Sequence, residues 1–264
     1  MKFYFLFILF VTSNTLVSNN LDNHSELNNK QPERVLFVGN SYLYYNDSLH
    51  NHVRRMVEET FPNKIDSLEF KSATIGGSRL AHHNIDHLLE HKNIAVSKPF
   101  QLVILQGGSG EALSEESRKE FSIQAKRLIN KIHASGADAA LYMTHAYVLP
   151  HEDYDPGMIK KIKSIYTKAG QNNSSLVLPV GIAYINAYKE RPDIILHKTF
   201  DGTHPDLLGT YLSACVLFAS IYKKSPIGIH YNYFESINKT DKDFLQKIAH
   251  DTVESFLDIT LEQL

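Results

Sequence analysis

The stretch Arg34-Val35-Leu36-Phe37-Val38-Gly39-Asn40-Ser41 decides the fold. Residues 34–38 hold four apolar side chains, two of them β-branched, and read as a strand buried on both faces. Gly39 and Asn40 then break the extended run, because both favour turns. Residues 48–60 follow with Leu49, Val53, Met56 and Val57 at helical spacing. A strand that passes through a tight glycine turn into a helix is the opening of a βαβ unit, which builds parallel sheets covered on both faces.

Working outward, the same alternation recurs. Further strands are predicted at 68–75, 102–105, 137–143 and 176–180. Helices are predicted at 115–135, where Phe121, Ala125, Leu128 and Ile132 form one stripe before Gly136, and at 158–169, with Gly170 as a second stop. A last apolar helix spans 205–222, with Leu208, Leu212, Cys215, Val216 and Ala219 three and four apart. No internal repeat interrupts this order. The expectation is one α/β domain over residues 32–264: a three-layer α/β/α sandwich around a doubly wound parallel sheet of about five strands.

Composition agrees with that reading. The chain has 264 residues, of which 43% are hydrophobic and 21% charged, so it can bury a full core and is neither disordered nor fibrous overall. Lys plus Arg is 27 against 29 for Asp plus Glu, a net charge of -2, so no basic field exists to hold a polyanion and nucleic acid is not an expected partner. Cys215 is the only cysteine, which excludes an intrachain disulfide and a thiolate zinc cluster. At the N-terminus, Lys2 precedes a nine-residue apolar run, 3–11, far short of the ~20 residues that span a bilayer. Residues 1–18 read as a signal peptide and 19–31, rich in Asn, Asp and Glu, as a disordered linker. The expected location is exported, periplasmic or secreted, with no membrane span after cleavage.

In a parallel sheet of this kind, ligands bind at the carboxyl ends of the strands. Those ends carry Gly39-Asn40-Ser41, Gly76-Gly77-Ser78 and Gln106-Gly107-Gly108-Ser109, and the last loop carries Asp201-Gly202-Thr203-His204-Pro205. A nucleophile, backbone donors, a side-chain amide, a base and a carboxylate thus converge on one edge. Asp201 and His204 lie three apart in a turn, so the carboxylate can reach the imidazole and fix its tautomer.

These blocks, in this order, resemble the SGNH or GDSL-like hydrolases over nearly the whole chain after residue 31. The resemblance implies a flavodoxin-like SGNH hydrolase fold and acyl transfer without a cofactor or metal. It implies Ser41 as nucleophile, His204 as general base, Asp201 as its orienter, and the N–H groups of Ser41 and Gly77 in an oxyanion hole, with Gly76 the close rival of Gly77. The third block departs from the family's usual Gly-x-Asn-Asp and is similar instead to the Gln-Gly-Glu-Ser element of the sialic-acid-type and xylan acetylesterase branch. That similarity implies the Gln106 amide as the third oxyanion donor.

Tyr44 and Tyr45 beside the nucleophile, and Tyr147 after the fourth strand, are expected to form an aromatic rim suited to sugar faces. With no long apolar lid, a short-acyl and specifically acetyl ester of a carbohydrate is the expected substrate. Two other readings stay open. His83, His87 and His91 stand four apart and would share a metal if they lay on one helical stripe, giving a metal-dependent hydrolase. A non-catalytic secreted glycan-binding protein on the same fold would keep the tyrosines and need neither Ser41 nor His204.

Overall fold

Four short apolar runs and one mixed edge segment become the strands β1 (Arg34–Gly39), β2 (Glu69–Thr74, the mixed one), β3 (Leu102–Gln106), β4 (Asp138–Tyr142) and β5 (Leu176–Leu178) in a computed structural model that describes residues 26–264. The helices are α1 (Ser41–Tyr44), α2 (Leu49–Thr60), α3 (Ile85–Leu89), α4 (Glu115–Ala134), α5 (Met158–Asn172), α6 (Val180–Glu190), α7 (Leu207–Tyr222) and α8 (Lys239–Leu257). All strand pairs are parallel, in the order β2-β1-β3-β4-β5.

The two-residue strand period divides the core. Val35, Phe37, Leu102, Ile104, Tyr142 and Leu178 face one side and pack with α2, α6, α7 and α8. Leu36, Val38, Val103, Leu105, Leu141 and Val177 face the other and pack with α4 and α5. Both faces of the sheet are therefore covered, which explains why the strands other than the edge strand β2 read as apolar runs. The chain leaves β1 for β2 on one side and reaches β3 on the other. That reversal opens a crevice between the carboxyl ends of β1 and β3.

Some boundaries differ from the sequence expectation. Gly170 does not end α5: the helix runs on to Asn172, and a Cβ at Gly170 would lie 2.4 Å from Val177 Cγ2, so glycine serves close packing on β5. The fifth strand stops at Leu178, and Val180 opens α6, a helix hidden because its apolar residues continue those of the strand. The last apolar helix starts at Leu207, whose N–H donates to Asp206 Oδ1 at 2.7 Å. The expected signal peptide lies outside the described residues. Residues 26–31, expected as disordered linker, are attached to the domain: Leu27 is buried, and Asn28 Nδ2 and the Asn29 N–H donate to the Asp138 carboxylate at 2.6 and 3.0 Å. Among the described residues, no helix is long and apolar enough to cross a membrane.

Candidate active site

The end of β1 tolerates only glycine at position 39, since a Cβ there would lie 2.4 Å from Gln106 Oε1 and 2.8 Å from Leu43 Cδ1. Asn40 next caps α1, its Oδ1 accepting the Tyr42 N–H at 3.1 Å. Ser41 is thereby fixed as the first helical residue at the crevice, 8% exposed. Beyond α1, Asn46, Asp47 and Ser48 all take left-handed backbone, with φ of 53°, 67° and 65°. Such residues cost about 1–3 kcal/mol each. Cross-links oppose that strain: Asn46 Nδ2 donates to the Pro205 carbonyl at 3.0 Å and to Thr210 Oγ1 at 2.8 Å, joining the Ser41 segment to the His204 loop.

In that loop His204 Nε2 lies 2.9 Å from Ser41 Oγ, and Nδ1 lies 2.7 Å from Asp201 Oδ2. Asp201 Oδ1 also accepts the N–H groups of Thr203 and His204, at 2.9 and 3.1 Å. Burial pushes the Asp201 carboxyl up, but the Thr203 N–H and the two His204 donors outweigh it and hold the carboxyl below its ordinary value. An ionised carboxylate only accepts, so Nδ1 carries the proton and Nε2 faces Ser41 with a lone pair.

Thr203, between the two, is gripped from both ends. Its hydroxyl lies 2.6 Å from the Tyr42 hydroxyl, and its carbonyl accepts from His145 Nε2 at 2.8 Å. The His145 ring stacks between Tyr42 and Tyr184, with centroids 4.2 and 4.4 Å away. Burial holds its pKa well below the ordinary value, so it is a neutral, fixed donor. Tyr45 stacks on His204 itself, 4.5 Å between centroids.

Ser41 and His204 open into a cleft of about 550 Å³, lined also by Tyr44, Tyr45, Gly76 and Gly77. Gly77 has φ of 66°, a turn conformation that favours glycine. Gly76 and Gly77 both line the cleft, so the two rival donors stay side by side.

Gln106 departs from expectation. It is fully buried and absent from the cleft lining; its Oε1 accepts the Asn40 N–H at 2.8 Å, and its Nε2 donates to the Gly107 carbonyl. The extra methylene carries the amide across the sheet into the space left by Gly39, where it ties β3 to the nucleophile turn. Its oxygen and one of its two N–H groups are thus engaged by backbone. Tyr147 is also displaced from the expected rim: it is buried, its hydroxyl donates to Ser109 Oγ at 2.9 Å, and its ring stacks on His151. It supports the Ser109 wall of the cleft from behind.

The three histidines share no helical stripe. A 3-10 turn (Leu80–His82), α3 and a second 3-10 turn (His91–Ile94) replace one helix, because Asn84 caps α3 between them. His83 Nε2 pairs with Ser78 Oγ at 2.9 Å, His87 contacts Asn93, and His91 Nδ1 donates to the Val96 carbonyl. Among the described residues, no group of three such side chains could hold a metal ion.

Two residues at the cleft went unread in the sequence. Arg79 lines it, directly after the Gly76-Gly77-Ser78 turn, which was the available signal. Glu111 is buried beneath Gly107 and Gly108, and its Oε2 has no hydrogen-bond partner. Burial pushes its carboxyl up to about 7, against the pull of the Gly108 backbone and Arg79.

No protein-family model and no curated protein matches the chain. Solved structures do. A DUF4886 family protein from Bacteroides uniformis aligns at TM-score 0.65 and 19% identity, covering 86% of this chain and 96% of that one. An acetyl xylan esterase aligns at TM-score 0.56 and 19% identity over 71% of this chain and 98% of its own. A lipase/acylhydrolase from Enterococcus faecalis aligns at 0.55 and 16%, over 72% and 95%. A parallel five-stranded sheet with helices on both sides, shared with such neighbours, gives this chain the fold of the SGNH/GDSL-like hydrolases.

Proposed function

We propose that the protein is a serine esterase that removes short acyl groups, acetyl above all, from a carbohydrate through an acyl-enzyme. The observation that carries this reading is the continuous line from Asp201 Oδ2 through His204 to Ser41 Oγ, with separations of 2.7 and 2.9 Å, at the mouth of a cleft. An activated serine needs a base within hydrogen-bond reach and a third group to orient that base.

In this mechanism His204 Nε2 takes the Ser41 proton as Oγ attacks the ester carbonyl. The imidazolium that forms keeps its Nδ1–H on Asp201, whose lowered pKa keeps it ionised. Charge develops on the carbonyl oxygen, and the N–H groups of Ser41 and Gly77 are its donors, Gly76 remaining the rival. Collapse expels the alcohol, which takes the proton from His204. Water, activated by the same imidazole, then releases the acid and restores Ser41. No step requires a cofactor.

The acetyl and carbohydrate assignments rest on the exposed Tyr44 and the Tyr45 ring at the cleft, together with acetyl xylan esterases among the structural neighbours. Export, read from residues 1–18, fits an extracellular glycan. The test is hydrolysis of aryl acetate against aryl octanoate, with rapid quench and peptide mass analysis. The acetate is expected to be preferred and to leave its acyl group on Ser41; Ser41→Ala turning over the acetate at the wild-type rate would refute the reading.

A further inference from the structure

Arg79 is the only Lys, Arg, Asp or Glu among the residues that line the cleft. It is exposed, and none of the salt bridges among the described residues uses it. The other arginines are all engaged. Arg54, Arg55 and Arg191 pair with Glu58, Asp47 and Asp241. Arg34 and Arg118 donate to the carbonyls of Pro99 and Ala112, and Arg127 donates to Gln124. A guanidinium with no ion pair in the cleft that holds Ser41 and His204 differs from a solvated surface charge elsewhere.

Its placement is held rather than loose. The Arg79 N–H donates to His82 Nδ1 at 3.2 Å and its carbonyl accepts the His82 N–H, so the backbone is pinned in a 3-10 turn. Its stem rests on Gly108: Arg79 Cγ lies 3.0 Å from where a Gly108 Cβ would stand. The small residues Gly108, Ser109 and Gly110 leave that wall of the cleft low. The whole chain carries a net charge of -2, so this positive point is local.

We propose that Arg79 is a specificity-determining residue that selects esters whose alcohol part carries a carboxylate, the chemistry of an acidic sugar. This rests on the acetylesterase reading above: an acetyl group has no place for a charge, so the anion belongs to the alcohol. A planar guanidinium matches a carboxylate with two parallel N–H donors, which a lysine at the same position could not. The exposed Tyr44 ring, which lines the same cleft, supplies a flat apolar face for the sugar ring, while Tyr45 is stacked between Tyr44 and His204. The Glu111 carboxyl, which feels the Arg79 charge, lies under Gly108 and makes no salt bridge with it. Burial raises this carboxyl to about 7, so it offsets the guanidinium only in part.

The test uses 4-acetoxybenzoate and its neutral counterpart 4-acetoxybenzamide, with wild type, Arg79→Gln and Arg79→Lys, each checked for an unchanged Tm. The readout is the ratio of kcat/KM for the anionic ester to that for the neutral one. Arg79→Gln is expected to lower this ratio about tenfold, mostly through KM, with Arg79→Lys in between. Added salt should shrink the wild-type ratio and leave that of Arg79→Gln nearly flat. A ratio equal within about twofold in wild type and Arg79→Gln, with the neutral ester still hydrolysed, would overturn the role of Arg79 alone. Hydrolysis of neither ester by the wild type would overturn the esterase reading and this proposal with it.

Discussion

The imidazole of His204 has a different partner on each nitrogen, and the direction of proton transfer follows from that asymmetry. Asp201→Asn keeps the size but lets an amide N–H face Nδ1, which moves the imidazole proton to Nε2 and removes the lone pair that Ser41 needs. We expect kcat to fall by roughly 10³–10⁴, with the far-ultraviolet spectrum unchanged. The Gln106 amide, bonded to the Asn40 N–H and the Gly107 carbonyl, is expected to act on structure instead. Gln106→Ala leaves the buried Asn40 N–H without its acceptor, at a cost of about 1–3 kcal/mol in denaturant unfolding. Gln106→Glu aims a second acceptor at the Gly107 carbonyl and should be worse. A lost oxyanion donor would instead lower kcat by ~10²–10³ at unchanged stability, so the two roles separate in one pair of measurements.

Among the elements, the loop between α6 and α7 is closely constrained. Gly202 has φ of 67°, and a Cβ on it would lie 2.1 Å from the Val148 carbonyl oxygen. Gly202→Ala is expected to cost about 1–3 kcal/mol from the backbone conformation, with the clash added to it, and activity should fall as Asp201 and His204 move together. A variant as stable and active as wild type would show that the loop does not need this turn. The same elements show what could be read in advance. Strands β1, β3, β4 and β5 were legible to within two residues because each is an apolar run bounded by glycine or polar residues. Ser41, Asp201 and His204 could be located because each sits within a few residues of a strand end or helix start, where local chemistry speaks. The orientation of Gln106 could not, since it depends on the missing side chain of Gly39, 67 residues away in sequence and on a neighbouring strand. Helix α8 was missed for a related reason: Gln246 and Thr252 are buried among its apolar residues and blur the stripe. Spacing alone put His83, His87 and His91 on one face, and the Asn84 cap broke the helix that this needed.

At the scale of the whole molecule, buried ionisable groups set opposing trends with pH. His197 is lowered to about 4 by burial. The unfolded chain therefore binds a proton below about 6.5 that the fold refuses, and stability is lost as pH falls from about 6.5 to 4. Glu111 works the other way: raised from 4.5 to about 7, it favours the fold while protonated, and its contribution is lost as pH rises from about 4.5 to 7. Each is worth on the order of 3 kcal/mol at most. His50, His52, His83 and His145 are also lowered, burial being the largest cause in each, so the histidines win and Tm should fall on acidification below about 6.5. Glu111→Gln should raise Tm relative to wild type at pH 8, with the gain fading by about pH 4.5. An advantage that does not change with pH would contradict the ionisation of Glu111. The central claim, that one serine is activated by the His204–Asp201 pair, is tested most directly by fluorophosphonate labelling of the folded protein followed by peptide mapping. The account predicts modification at Ser41 and its loss in His204→Ala; labelling at Ser78 or Ser109 with Ser41 untouched, or no labelling at all, would contradict it.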